Sequence, residues 1–150
     1  MSQASYPQSV TFSKNMEFDE SLEVDGDLMC SRLVVHGNLT VSGSVIATFL
    51  QVEGNVTAGR SIEAGVLLRV AGDVTAGQDI YARNIEVGKT ITSKRSIIAN
   101  GGAIVVGHAI TAGRAVEAKQ LIHCGGAIQA GSWVMCPALD IKCTELRHRL

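Results

Sequence analysis

The side chains best equipped for chemistry are the sulfur and imidazole groups gathered towards the C-terminus: His123, Cys124, Cys136, Cys143 and His148. Thiolate and imidazole together are what zinc takes. Their spacing matches no Cys-x-x-Cys knuckle, however, and Cys124 and Cys136 fall at positions expected to hold small inward residues. They are therefore read as reduced packing thiols, and Cys30 with them. Cys143 with His148 is the pair best placed to hold a metal, at the end of the chain, but no metal ligand set is assigned. His36 and His108 fall at turn positions and could serve as the general base of an acyl transfer. Neither has an evident carboxylate neighbour in sequence, and no second domain to bind an acyl donor is expected. No catalytic residue and no cofactor are assigned.

Two further columns of residues invite a ligand. Thr40, Thr57, Thr75, Thr92 and Thr111 recur about every 18 residues, as an ice-ordering surface would require. The column beside them reads Asn38, Asn55, Asp73, Thr90 and Ala109 instead of a second threonine row, so strand preference explains the threonines more simply. Arg60, Gln78, Arg95 and Arg114 are expected to stack as a polar edge able to hold a carboxylate, a phosphate or an acidic lipid surface. Asp79, Glu63 and Glu117 dilute it, which favours a solvated turn. The sequons Asn38-Leu-Thr40 and Asn55-Val-Thr57 are read as accidents of repetition. The glycines are explained by turns and do not form a phosphate-cradling loop.

Composition narrows the field. A net charge of −1 offers no field for nucleic-acid backbones. The first 15 residues do not read as a secretory leader, and no run approaches the roughly 18 apolar residues of a membrane span. A cytoplasmic address is expected. Aromatic residues make up 4% of the chain against 46% hydrophobic, so the core must be built from Val, Ile, Leu and Ala.

The elements that would position these residues come from an internal repeat. Val56-Thr-Ala-Gly-Arg-Ser returns as Val74-Thr-Ala-Gly-Gln-Asp and Ile110-Thr-Ala-Gly-Arg-Ala. Each unit is a large aliphatic, a polar residue, a smaller apolar residue and a turn. The large aliphatics run from Leu22 to Leu139, mostly six apart. Steps of five or seven, such as Leu28 to Leu33, Ile80 to Ile85 and Ile97 to Ile104, fall only between the second and third units of each group of three. Inward residues two apart give strand periodicity, with no 3.6-residue recurrence. This predicts an all-β fold: a single-stranded, three-sided parallel β-helix (β-solenoid) of about seven coils of 17–19 residues, roughly 34 Å long at strand spacing. Residues 1–21 would form an N-terminal tail and cap, in which Val10, Phe12, Met16 and Phe18 weakly continue the pattern. Residues 22–141 would form the β-helix and 142–150 a C-terminal cap or tail, with a short helical plug suggested by its last residues.

Runs such as Val52-Glu-Gly-Asn-Val-Thr-Ala-Gly and Val70-Ala-Gly-Asp-Val-Thr-Ala-Gly resemble the bactofilins, over roughly residues 22–133. That resemblance implies a right-handed β-helix that polymerises end to end as a bacterial cytoskeletal scaffold. The chain's two prolines depart from the Pro-rich tails of that family. The hexads are also similar to hexapeptide-repeat acyltransferases, which imply a left-handed helix and a trimeric enzyme or ligand-binding protein. Those place the small residue before the large one; here Val56 precedes Ala58, which favours the right hand.

Outward hydrophobes complete the expectation. Val34, Phe49, Leu67, Val105 and Leu121 flank the third face, and Ile46, Tyr81, Ile98, Trp133 and Met135 the second. Columns of this kind on a rod suit lateral packing. A non-enzymatic, self-assembling structural protein follows, its partner itself, with a membrane surface or other scaffold proteins as further contacts. Leu22, Val24, Leu139 and Ile141 mark the expected terminal rungs, and Val105 and Leu121 the lateral contact.

Overall fold

The computed structural model describes residues 3–141 and 146–148, and every regular element among them is a strand. The first circuit supplies β1 (Gln3–Tyr6), β2 (Val10–Phe12) and β3 (Met16–Phe18). The next four circuits pair a strand with a longer one: β4 (Ser21–Val24) with β5 (Leu28–Val35), β6 (Leu39–Val41) with β7 (Val45–Val52), β8 (Val56–Ala58) with β9 (Ile62–Val70), and β10 (Val74–Ala76) with β11 (Ile80–Val87). Beyond these the long strand divides. The next circuit is β12 (Ile91–Ser93), β13 (Ile97–Ala99) and β14 (Ile104–Val106), followed by β15 (Ile110–Ala112), β16 (Ala115–Ala118) and β17 (Leu121–Cys124). Then come β18 (Ile128–Ala130), β19 (Trp133–Met135) and β20 (Ala138–Ile141), and finally β21 (Leu146–His148).

All pairings are parallel and join each circuit to the next, which makes the chain a β-solenoid of about seven turns from Leu22 onwards, with the β1–β3 circuit stacked before them. One sheet has nine strands, ordered β1-β4-β6-β8-β10-β12-β15-β18-β21; the other has twelve. The second and third units of a circuit share this larger sheet because in four circuits they are one unbroken strand. The irregular steps lie at that join. Register shifts occur between Ala47 and Phe49 and between Ala82 and Asn84, where β9 carries one residue more than its neighbours. A solenoid tolerates the extra residue there because no turn hydrogen bonds have to be matched.

The interior is the aliphatic column set that the repeat requires. Val56, Val74 and Ile91 lie on adjacent rungs, and each is no more than 1% exposed. Each such side chain adds about 1.5–3 kcal/mol of burial. The aromatics are kept out of this narrow interior. Tyr6, Phe12 and Phe18 instead form a layer at the first circuit, with ring centroids 5.5 and 5.8 Å apart in the two contacting pairs, half-buried against the core. The helical plug expected at the C-terminus is not found at 146–148. Leu146 stands 18 residues after Ile128 and pairs with it as the next rung, so the segment extends as a strand.

One turn departs from those beside it. Ser93 and Lys94 stand where neighbouring circuits have Ala58-Gly59, Ala76-Gly77 and Ala112-Gly113. Glycine recurs there because a Cβ on Gly77 would collide with the Gly59 carbonyl oxygen one rung away. In the regular turns the ladder is direct: Gln78 N donates to Arg60 O at 3.1 Å and Arg114 N to Arg95 O at 2.8 Å. At the lysine, Arg95 N donates instead to Ser93 Oγ at 3.1 Å, and that hydroxyl donates to the Gln78 carbonyl oxygen. Ser93, 2% exposed, is thus a buried polar residue that bridges the ladder at the one of these turns where the direct bond is missing.

Ser93→Ala should strand both the Arg95 N–H and the Gln78 carbonyl, at about 1–3 kcal/mol. Adding Lys94→Gly should restore the direct bond and most of the stability. A double-mutant cycle by denaturant unfolding measures this coupling, and additive losses would refute the bridging role.

Candidate functional site

In the solenoid, residues about 17–19 apart in sequence become neighbours, and this assembles one constellation that linear spacing concealed. His36 follows β5, where its Nε2 lies 2.6 Å from Glu17 Oε2 and 4.0 Å from Asp19 Oδ1, while its Nδ1 lies 3.0 Å from Glu53 Oε2. Glu17 belongs to β3 on one side, and Glu53 follows β7 on the other. His36, which has no evident carboxylate neighbour in sequence, thus has carboxylate neighbours in space. Hydrogen bonds to Glu17 and then Glu53 raise the ring's pKa to about 9. An imidazolium held charged at neutral pH has no free lone pair for a proton, which disfavours a general-base role there. Glu17, Asp19 and His36 place ligand atoms within 4.8 Å of one another, the one such group among the described residues. A cation would have to displace the proton from Nε2.

His108 lies elsewhere. It is exposed and stands four rungs along from Gly37, its N–H donating to the Lys89 carbonyl, so the two histidines are about 19 Å apart at ladder spacing and share no cleft. Among the described residues, the C-terminal sulfur and imidazole groups form no cluster of three ligands. His123 and Cys124 are consecutive in β17 and point to opposite faces. The buried Cys124 thiol lies 3.0 Å from the His108 carbonyl oxygen, to which it donates, and Cys136 packs against the core. Cys30 is also inward, donating to the Arg32 carbonyl at 3.1 Å, and burial raises its pKa, which disfavours the reactive thiolate. Cys143 lies outside the described residues, as does the side chain of His148.

The polar columns have structural duties. Thr40, Thr57, Thr75, Thr92 and Thr111 do stand in consecutive register. Beside them Asn38 Oδ1 accepts from Asn55 N, Asn55 Oδ1 from Asp73 N, and Asp73 Oδ1 from Thr90 N, at 2.8–3.0 Å. The side chains of this column satisfy turn N–H groups of the following rung, a role that sequence spacing alone did not reveal. The Arg60, Gln78, Arg95 and Arg114 column is in register, with Arg95 3.9 Å from Asp79.

The assembly residues fall as follows. Leu22 and Val24 are buried in β4, which is paired with both β1 and β6, so the outermost rung at that end is β1–β3. Leu139 and Ile141 lie in β20, which pairs only with β17 among the described strands. Val105 is exposed between Glu86 and His123, and Leu121 is partly exposed at the start of β17. The apolar column on the second unit reads Met29, Ile46, Glu63, Tyr81, Ile98, Glu117 and Met135, so glutamates divide it into short patches. Trp133 Nε1 donates to Glu117 at 2.7 Å beside it. Met29 and Val66, both over 40% exposed, belong with these hydrophobes although the repeat pattern did not single them out. No helix long and apolar enough to cross a membrane occurs among the described residues. No family model, curated protein or solved structure matches this chain.

The His36 cluster makes stability depend on pH. Its folded-state pKa of about 9 lies above the ordinary 6.5, so protonation favours the folded form. That contribution is complete below pH 6.5 and is lost as pH rises towards 9. The thermal midpoint should fall across this window, modestly because the ring is partly solvated. His36→Gln should flatten the profile; an unchanged slope would show that the cluster is not responsible.

Proposed function

We propose that this chain is a non-enzymatic structural protein that self-associates through the ends of its solenoid, as a bactofilin-like scaffold. One observation carries the reading. Every inner strand is paired on both edges, whereas β1, β2 and β3 at one end and β19, β20 and β21 at the other each have a single partner among the described strands. Open edges of this kind template strand addition, and soluble proteins ordinarily cover them. The half-buried layer of Tyr6, Phe12 and Phe18 adds apolar area to the first of these ends.

Further features support it. The repeat engages side chains in packing, turn ladders and surface pairs, and a His36 ring that favours the protonated form weighs against the acyltransferase alternative. The Met29–Ile46 and Tyr81–Ile98 patches suit lateral contacts between rods, with Glu63 and Glu117 limiting their register. In this reading the coil is three-sided and right-handed, following the order Val56, Ala58, Gly59, and the protein works in a bacterial cytoplasm alone or against a membrane surface or other scaffold proteins.

Self-association should appear as concentration-dependent assemblies by negative-stain microscopy and light scattering. Val10 N donates to the Asp27 carbonyl on the next rung, so the pleat directs the N–H of Thr11 towards the open edge. Thr11→Pro should therefore remove an outward donor without breaking the inner ladder. Assembly should weaken while the unfolding midpoint stays close to wild type. A wild-type protein that remains monomeric at every concentration would end this proposal.

A further inference from the structure

The third units present an outer face of eight rungs, carried in order by β3, β5, β7, β9, β11, β14, β17 and β20. At ladder spacing this face is roughly 34 Å tall. Its two halves differ in relief. The column that closes the rungs reads His36, Glu53 and Ala71, then Gly88, Gly107 and Gly125, each N–H donating to the rung before. From the second rung to the seventh, the first half therefore carries side chains and the second half only glycine. The column that opens the rungs changes in the same direction, Phe49 and Leu67 giving way to Asn84 and Ala103. A hollow of about 330 Å³ lies there, bordered by Phe49, Val66, Ala103 and Val105.

Opposite charges meet at the centre of this face. Gln51, Arg69, Glu86 and Val105 follow one another outward on the third to sixth rungs. Within the chain the Arg69 guanidinium donates to Glu86 Oε2 from Nε at 3.0 Å and from Nη2 at 2.9 Å. Consider a two-fold axis that runs along the strands, midway between these two rungs. It lays an identical rod face down so that the fourth rung meets the fifth, the third the sixth and the second the seventh. Arg69 then faces the partner's Glu86 and Glu86 the partner's Arg69, which closes a ring of two guanidiniums and two carboxylates. Glu53 and Ala71 come over the partner's Gly107 and Gly88, and Phe49 over the hollow beside the partner's Ala103. The same axis bisects the eight rungs, so matched charge, matched relief and full overlap coincide in one register. A parallel pairing would set Arg69 on Arg69, Glu86 on Glu86 and the raised half on the raised half. In the antiparallel one Glu17 comes over the register position of the partner's Asp140, at the outer margin where salt screens the repulsion.

We infer that the face of the third units pairs side by side with the same face of a second copy, the two rods antiparallel. The contact is isologous, so it closes on two copies. It joins flanks, and it stands whether or not the ends of the solenoid associate. Val66 and Val105, 46% and 37% exposed in the single chain, lie within the paired surface. The face is about one strand wide, so one pair buries less than the roughly 1,200 Å² of a stable complex. Contact between two isolated rods is therefore short-lived, and it accumulates wherever rods are held in line.

Covalent trapping of the full chain tests this. The single variants Gln51→Cys and Val105→Cys place one thiol on the third rung and one on the sixth, both on outward positions. A bismaleimide spanning about 10 Å, the separation of packed sheets, reports which rungs face each other. The equimolar mixture should yield dimers with the two introduced thiols joined, identified by mass spectrometry, while each variant alone should not join its own. In the antiparallel pair like positions are three rungs apart along the rod, roughly 14 Å before the gap is counted. Rods stacked through their ends hold any two of these thiols at least five rungs apart, roughly 24 Å, so end association cannot imitate the link. Adding Arg69→Glu to both variants should cut the yield about tenfold by gathering four carboxylates. Arg69→Glu on one and Glu86→Arg on the other should restore it, which also shows that the altered chains still fold. Self-linking by either thiol variant alone would show a parallel pairing, and a mixture that forms no link would show that this face does not pair; either overturns the inference.

Discussion

Everything in this molecule depends on a fixed vertical spacing: parallel backbone ladders hold successive circuits about 4.8 Å apart. At that distance each residue is judged chiefly by the residues directly above and below it. Aliphatics stack on aliphatics inside, threonines on threonines outside, and glycine on glycine where a carbonyl passes too close for a Cβ. The two ends are special because, among the described strands, they alone are paired on a single edge.

This constraint explains what could be read from the sequence. The aliphatics from Leu22 to Ile128 announce themselves because a buried column forbids substitution by anything polar, and the slips between Leu28 and Leu33 or Ile80 and Ile85 stand out because the other two transitions must preserve their turn bonds. The β1–β3 circuit was harder to recognise. Ala4, Val10 and Met16 are spaced correctly, but the turns between them lack glycine, and their aromatic partners look foreign to an aliphatic core.

The candidate site was less legible, for a related reason. The partners of His36 are 19 and 17 residues away, so they can be found only after the pitch of each individual circuit is known. The Asn38, Asn55 and Asp73 ladder was visible as a column, but its purpose was not, because a turn N–H has no signature in sequence. Ser93 carried a signal that could have been used. A serine replacing alanine beside a lysine replacing glycine is a paired departure from the repeat, and paired departures mark compensation.

The Asn38, Asn55, Asp73 and Thr90 column has an evolutionary consequence. Each of the first three gives its oxygen to the rung that follows, and Asn38 N in turn donates to Ser21 Oγ, so the arrangement contains no keystone. Duplicating or excising one complete circuit of 17 or 18 residues in this stretch leaves a donor facing an acceptor at the splice. Slippage within the gene would thus lengthen or shorten the rod in quanta of about 4.8 Å. The protein is built like a ruler whose graduations are heritable.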